Sequence, residues 1–321
     1  VIVLFSVVMP LYNKARFIKR SLDSVLLQTR GDYEIIVVDD GSTDEGPEIV
    51  AQYSDSRIKL IRQKNSGVSA ARNRGIESAE GSHIAFLDAD DVWRPNYLEV
   101  IAALIERYPG AGAYATAYEI IMPDKKVINP KYHAIPPSPW EGLLPSYFRS
   151  VMGIPPVWTC ATAVPKEVFQ RVGGFPVGIP IGEDLDMWGR IALAYPIAFS
   201  TRIGALYFKE DDQYVKRAQY YFTNPEPAFA GTARAAIERG SVRVADWADL
   251  LEYIAKLQIG AGYECLLDGR NPAAARRILA AASPRTMRLK LKKYRAILQT
   301  HLPDPFIRFS IRIKTLIFGQ Y

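Results

Sequence analysis

The sequence is poor in the residues that staple a fold or hold soft metals. Its 321 residues include two cysteines, Cys160 and Cys265, and three histidines. No CxxC pair or Cys/His cluster occurs, which argues against a zinc site or disulfide framework and fits a reducing compartment. No run approaches the roughly 20 apolar residues that a spanning helix needs. The opening VIVLFSVVMP is apolar but short, without the basic start and small-residue cleavage site of a signal peptide, so it reads as a buried strand. The chain begins at Val, so a few residues are expected to precede it. There is no internal repeat and no low-complexity run. A Gly-rich phosphate loop is also missing after the first strand, where MPLYNKA stands instead.

What is present is an ordinary globular composition, 49% hydrophobic and 23% charged, long enough for one large domain with an appendage. The net charge of +6 is unevenly placed. From residue 284 onward Arg285, Arg288, Lys290, Lys292, Lys293, Arg295, Arg308, Arg312 and Lys314 face only Asp304. That surplus exceeds the charge of the whole chain, so the remainder is slightly acidic and the basicity belongs to the C-terminus.

Strand and helix patterns alternate over the first hundred residues. FSVVMPLY is a continuous apolar run, as in a strand buried on both faces. RFIKRSLDSVLLQ follows with Phe17, Ile18, Leu22, Val25 and Leu26 at helical spacing. YEIIVVDDGS, IKLIR and HIAFLDADD read as further strands, and EIVAQYS, VSAARNRGIESA and PNYLEVIAALIERY as helices, the last with Pro95 in its first turn. The fold class expected is α/β, a mostly parallel Rossmann-like sheet with helices on both faces. AGAYATAYEIIMP alternates weakly and suits an edge strand. INPKYHAIPPSPWEG suits a surface loop, VWTCATAVP a strand, and KEVFQRV and GEDLDMWGRIALAY helices. After about residue 223 the pattern is helical. The domains expected are residues 1–222 and a helical, basic region over 223–321.

In such sheets ligands bind beyond the carboxyl ends of the strands. That rule gathers three clusters: Pro10 to Asn13, Asp39 to Ser42, and Asp88 to Asp91. Alternate side chains of an extended segment share a side, so Asp88 and Asp90 can converge on one hard cation, Mg²⁺ or Mn²⁺, shared with a diphosphate. The same residues also read as an acidic strand end that caps the next helix. Asp39 and Asp40 equally suit a turn, with STDE capping the following helix. Asn65, Gly67, Arg72 and Asn73 suit nucleotide recognition at a helix start, or else a solvated helix face. Tyr12 can stack on a base or simply pack. Glu183, Asp184 and Asp186 suit the first turn of a helix by the macrodipole alone.

SVVMPLYNKARFIKRSLDSVLLQT, EIIVVDDGSTD, NSGVSAARNRGIESAEGSHIAFLDADDVWRPNYL and VGGFP…GEDLDMWGRIAL, in this order, resemble family 2 glycosyltransferases of the GT-A fold over roughly residues 4–210. The resemblance implies that Pro10 and Tyr12 lie against the nucleotide base, with Asp40 bonded to the uracil and Asp39 beside it. It places Arg72 in the segment that lines the nucleotide site. Asp88, Ala89 and Asp90 match the DXD motif, whose aspartates hold Mn²⁺ or Mg²⁺ and the donor. Asp184 matches the general base, and Glu183, Trp188 and Arg190 complete an acceptor-side motif. The implied activity is metal-dependent, inverting transfer from a nucleotide-sugar, a UDP-sugar foremost, to a glycan or lipid-linked acceptor in bacterial surface polysaccharide assembly. Many relatives add a metal-binding histidine after the last strands. Here LYFKEDDQYVKRA has none, and Asp211 or Asp212 is the candidate substitute. The QxxRW motif of processive synthases is absent too, which favours a single transfer per encounter.

Two other readings stay open at this level, a sugar-phosphate nucleotidyltransferase and a non-catalytic nucleotide-sugar-binding protein. In the tail, MRLKLKKYRAILQ and PFIRFSIRIKTLIF mix apolar residues with Arg and Lys. They suit an anionic membrane surface or a helix packed with its basic face outward. No nucleic-acid motif accompanies the charge. The expected location is cytoplasmic, peripheral at the inner face of the cytoplasmic membrane.

Overall fold

The computed structural model describes residues 4–209, 214–267 and 270–302. The chain divides into two compact units, Val1–Glu210 and Asp211–Tyr321.

The first unit is built on strands β1 (Phe5–Leu11), β2 (Tyr33–Asp39), β3 (Ile58–Arg62), β4 (His83–Phe86), β5 (Val92–Trp93), β6 (Ala113–Ile121), β7 (Val127–Ile128), β8 (Glu141–Leu143), β9 (Thr162–Pro165) and β10 (Ile197–Phe208). Between them run helices α1 (Ala15–Leu26), α2 (Gly46–Ala51), α3 (Val68–Ser78), α4 (Tyr97–Arg107), α5 (Tyr147–Ser150), α6 (Lys166–Val172) and α7 (Glu183–Ala194). All ten strands form one sheet with the main order β3-β2-β1-β4-β9-β6-β10-β5, β7 pairing with β6 and β8 with β10. β3, β2, β1 and β4 are mutually parallel, as are β6 and β10. β9 runs antiparallel between β4 and β6, so the two parallel blocks point the same way. This is the GT-A arrangement, an α/β sheet with flanking helices.

The pleat of β1 sets the layers. Val7, Met9 and Leu11 join a core with Ile18, Leu22 and Val25 of α1 and Leu98 and Ile101 of α4. Val8 points to the opposite face, where α3 lies so close that a Cβ on Gly75 would sit 2.3 Å from Val8 Cγ1. Phe86 of β4 meets Phe169, Phe175 and Trp188 edge-on at ring separations of 6.2, 5.3 and 6.2 Å, which places α6 and α7 on that same face. Each fully buried aliphatic side chain contributes roughly 1.5–3 kcal/mol.

Three expectations change. AGAYATAYEIIMP is not an edge strand: β6 is flanked by β9 and β10 and is buried along most of its length. Its small and aromatic residues fit a crowded interior, which weak alternation does not reveal. VWTCATAVP is only half a strand, with a 3-10 turn over Thr159–Ala161 before β9. Pro95 lies just ahead of α4, where its carbonyl accepts a hydrogen bond from Thr29 N at 2.9 Å.

The second unit is helical: α8 (Tyr214–Thr223), α9 (Ala228–Glu238), α10 (Val244–Leu267), α11 (Pro272–Ala281) and α12 (Met287–Gln299). α10 is the spine against which α8, α9, α11 and α12 pack. The sequence pattern places the boundary after residue 222, whereas α8 lies within the helical unit. No helix among the described residues is long and apolar enough to cross a membrane.

Candidate active site

The parallel block β3-β2-β1-β4 brings the ends of β1, β2 and β4 to one rim. Leu11 and Asp39 are register partners, and Asp40 N donates to Leu11 O at 2.8 Å. The loops that follow are stitched side by side. Asn13 N donates to Ser42 Oγ at 3.2 Å, and Asn13 Oδ1 accepts from Thr43 N at 2.8 Å. Asp44 caps two helices at once, accepting from Ala15 N of α1 at 2.8 Å and Gly46 N of α2 at 3.0 Å. The expected capping role of this turn is therefore real, and it falls to Asp44. Asp39 closes the turn itself, its Oδ1 accepting from Ser42 N at 2.9 Å. Pro10 lies half-buried at the end of β1, while the Tyr12 ring is 47% exposed on the rim.

Asp40 is buried, and both of its oxygens are engaged. Oδ1 accepts from Gln63 Nε2 at 2.7 Å and Ser66 N at 2.9 Å, and Oδ2 from Gly67 N at 2.8 Å. The carboxylate thus holds the loop that leads into α3. Gly41, at φ +75°, lets Asn65 pass, since a Cβ there would lie 2.9 Å from Asn65 N. Asn65 is exposed, and Gly67, at φ +90°, starts α3.

The second cluster is held by α1. Lys14 Nζ sits 2.6 Å from Asp90 Oδ2. Arg20 Nη2 donates to Asp90 O at 2.5 Å, and Ser21 Oγ to Ala89 O at 2.8 Å. Lys14, Arg20 and Ser21 carry no sequence signal beyond lying at the start of, or on, the helix after β1. Asp91 turns away from the rim. It is buried, and its Oδ1 accepts from Phe208 N at 2.9 Å. Burial, then the charges of Asp90 and Asp88, push its pKa well above the usual range.

Arg72 joins the rim to α7. From the buried face of α3 its Nη2 reaches Asp88 Oδ1 at 2.9 Å and Oδ2 at 3.2 Å, while Nη1 reaches Glu183 Oε1 at 3.0 Å. Its guanidinium lies 5.2 Å from the Phe175 ring centre. Burial alone would loosen its proton, but Asp88 and Glu183 outweigh that and raise its pKa. Next to Glu183, Asp184 opens α7 behind Gly182, whose φ is +77°. Burial pushes Asp184 up to about 7, helped by the Glu183 charge and opposed by Arg72. A carboxyl titrating near neutrality is suited to proton transfer.

Not every expected residue reaches the crevice. Trp188 is fully buried against Phe86 and Phe175, so it is a core residue and not an acceptor-side one. Arg190 pairs with Asp186 at 2.7 Å, donates to Gly174 O at 2.8 Å and bonds Val172 O, bracing the turn after α6. Asn73 clasps the backbone of Phe175, donating at 2.8 Å and accepting at 2.7 Å, and does not line the nucleotide side. Asp211 and Asp212 lie outside the described residues.

Among the described residues no three His, Cys, Asp or Glu side chains gather around one point. Among the described residues at this rim, Asp88 and Asp90 are partly exposed carboxylates that could offer oxygens to a divalent cation. Two carboxylates fit Mg²⁺ or Mn²⁺, which commonly completes its shell from substrate phosphates and water.

The family model described as "Glycosyl transferase family 2" matches residues 6–160. Over these residues the first unit is similar to glycosyl transferase family 2. An "Uncharacterized glycosyltransferase" of Rickettsia felis is 31% identical over 205 residues, covering 62% of this chain and 33% of that protein. The "Glycosyltransferase GlyA" of Streptococcus pneumoniae is 39% identical over 115 residues, covering 35% and 16%. The chain thus spans a third or less of the length of these curated relatives. Among solved structures, S. aureus TarS 1-349 superposes with a TM-score of 0.56 at 18% identity, covering 99% of this chain and 92% of that one, a likeness of fold. TarS 1-349 has also been solved in complex with UDP-GlcNAc, a structure that matches with a TM-score of 0.55 at 16% identity and covers 99% and 93%.

Proposed function

We propose that the protein is an inverting, divalent-metal-dependent glycosyltransferase that moves a sugar from a UDP-sugar to a hydroxyl of a glycan or lipid-linked acceptor. Assembly of a bacterial surface polysaccharide, at the inner face of the cytoplasmic membrane, is the process this chemistry suits. The observation that carries the reading is the Arg72 fork, which ties Asp88 on the strand rim to Glu183 beside Asp184. One guanidinium thereby joins a rim carboxylate to the residue next to the candidate base. Similarity to a glycosyltransferase family supports sugar transfer over the two rival readings. The UDP-GlcNAc complex of TarS makes UDP-sugars the first donors to try.

The residues divide the work. Tyr12 and Asn65 offer exposed side chains to the nucleotide, with Asp39 and Asp40 fixing the turns that carry them. Asp88 and Asp90 would hold a divalent cation, which would supply neutralising charge for a departing diphosphate. Asp184 takes the proton of the acceptor hydroxyl as that oxygen bonds to the anomeric carbon. The bond from that carbon to the diphosphate oxygen breaks on the opposite side, and its electron pair leaves with the nucleoside diphosphate. Attack from behind inverts the configuration.

Calorimetry with Mn²⁺ and a panel of nucleotide sugars, followed by a transfer or donor-hydrolysis assay, tests this. Asp90→Ala is expected to lose metal-dependent donor binding. Asp184→Asn is expected to keep donor binding and lose transfer. Transfer at the native rate by Asp184→Asn overturns the assignment of the base.

A further inference from the structure

α12 turns a strip of apolar side chains outward. Met287, Leu291, Tyr294 and Leu298 are four, three and four residues apart, so they fall along one side of the helix. They are 68%, 62%, 62% and 69% exposed. The opposite side is the one that packs, through Leu289 and Ala296. The helix is firmly seated there. Glu252 of α10 accepts from Arg285 N at 2.7 Å and Thr286 N at 3.1 Å. Lys293 Nζ donates to Ala282 O at 2.6 Å. The exposed strip is therefore a fixed feature of a packed helix and not a frayed end.

Charge identifies the occupant. By helical spacing Arg288 and Arg295 border the strip on one side and Lys290 on the other, and all three are exposed. α12 holds five basic residues and no acidic one. Their field is felt inward as well: burial, then Lys292 and Arg288, bring the Lys256 ammonium down to about 8. The apolar spacing would also suit a coiled-coil seam. A second copy, however, would set this row of cations against itself. An anionic lipid surface satisfies both the apolar strip and its cationic borders.

We propose that α12 is an interfacial helix that seats Met287, Leu291, Tyr294 and Leu298 in an anionic bilayer, with Arg288, Lys290 and Arg295 on the headgroups. This gives a site to the peripheral placement proposed above and rests on that reading only in taking a membrane as the partner. Vesicle binding needs neither donor nor acceptor, so its failure would leave the crevice chemistry standing.

The test is co-sedimentation of the full chain with phosphatidylglycerol–phosphatidylcholine vesicles and with phosphatidylcholine alone. The chain is expected to bind the mixed vesicles and not the neutral ones. Leu291→Asp with Leu298→Asp, and separately Arg288→Glu with Arg295→Glu, should each weaken binding by about ten-fold or more. All four positions are exposed, so circular dichroism and melting should stay native. Should a pair unfold the helix, Tyr294→Trp takes over, and the emission of the added indole must shift to the blue on mixed vesicles. The proposal is overturned by no binding, by binding that both pairs leave intact, by an unshifted indole emission in Tyr294→Trp, or by a lipid-free dimer that Leu291→Asp with Leu298→Asp dissolves.

Discussion

The Lys14 ammonium lies 2.6 Å from Asp90 Oδ2, although the two residues are 76 positions apart. The contact exists because β1 and β4 are neighbours and α1 begins immediately above their shared rim. It places a cation where a divalent ion would compete for the same oxygen. Lys14→Ala should therefore tighten binding of Mn²⁺ alone by up to about five-fold, the limit that a partly exposed ion pair of at most ~1 kcal/mol allows. Calorimetry without nucleotide reads this directly. Unchanged or weaker Mn²⁺ binding would mean that Lys14 does not screen Asp90.

Removing Arg72 should be costly, since it pairs with two carboxylates. Arg72→Met strands Asp88 and Glu183 beside a buried apolar side chain, and breaking such a pair costs about 3–5 kcal/mol. Urea unfolding should show a matching fall in midpoint. Arg72→Lys returns the charge without the fork that reaches both carboxylates, so it should fall between the two and still lose most transfer activity.

Much of this geometry was legible in the sequence, and the reasons differ by element. Strand β3 was read with its exact ends, because IKLIR stands between turn-forming residues. The shared rim follows from the rule for parallel strands. Strand order was not legible, since periodicity does not say that β9 slips antiparallel between β4 and β6. Nor could spacing separate Asp91 from its neighbours, although one accepts from Phe208 N in the core and another pairs with Lys14 at the rim. Trp188 and Arg190 travelled with a functional motif, yet their contacts hold α7 in place.

The pH dependence has a definite sign. Asp184, pushed up to about 7, can accept a proton only when ionised. kcat/KM should therefore rise with pH and level off above neutrality. Arg72→Met removes the opposing cation and should move that midpoint higher. For stability the sign is reversed: a carboxyl whose folded pKa is raised favours the fold when protonated, so its contribution is lost as pH climbs from about 4 to about 7. A rate profile flat across this range would exclude Asp184 as the base.

Gly75→Ala tests the layer under the site. A methyl group normally favours a helix by about 1 kcal/mol. Here it would meet Val8 at 2.3 Å, and overpacking of that kind costs ~1–3 kcal/mol. The single change should lower the melting temperature. Val8→Ala combined with Gly75→Ala should be more stable than the sum of the two single changes, which a double-mutant cycle measures.

The sutures between the loops after β1 and β2, Asn13 to Ser42 and Thr43 and Asp44 to Ala15, carry an evolutionary corollary. Neither loop can shift without dragging the other, so changes in the two loops are expected to be coupled. A lineage that changes its preferred ligand would do so by swapping protruding groups such as Tyr12 or Asn65, while the frame beneath them stays put.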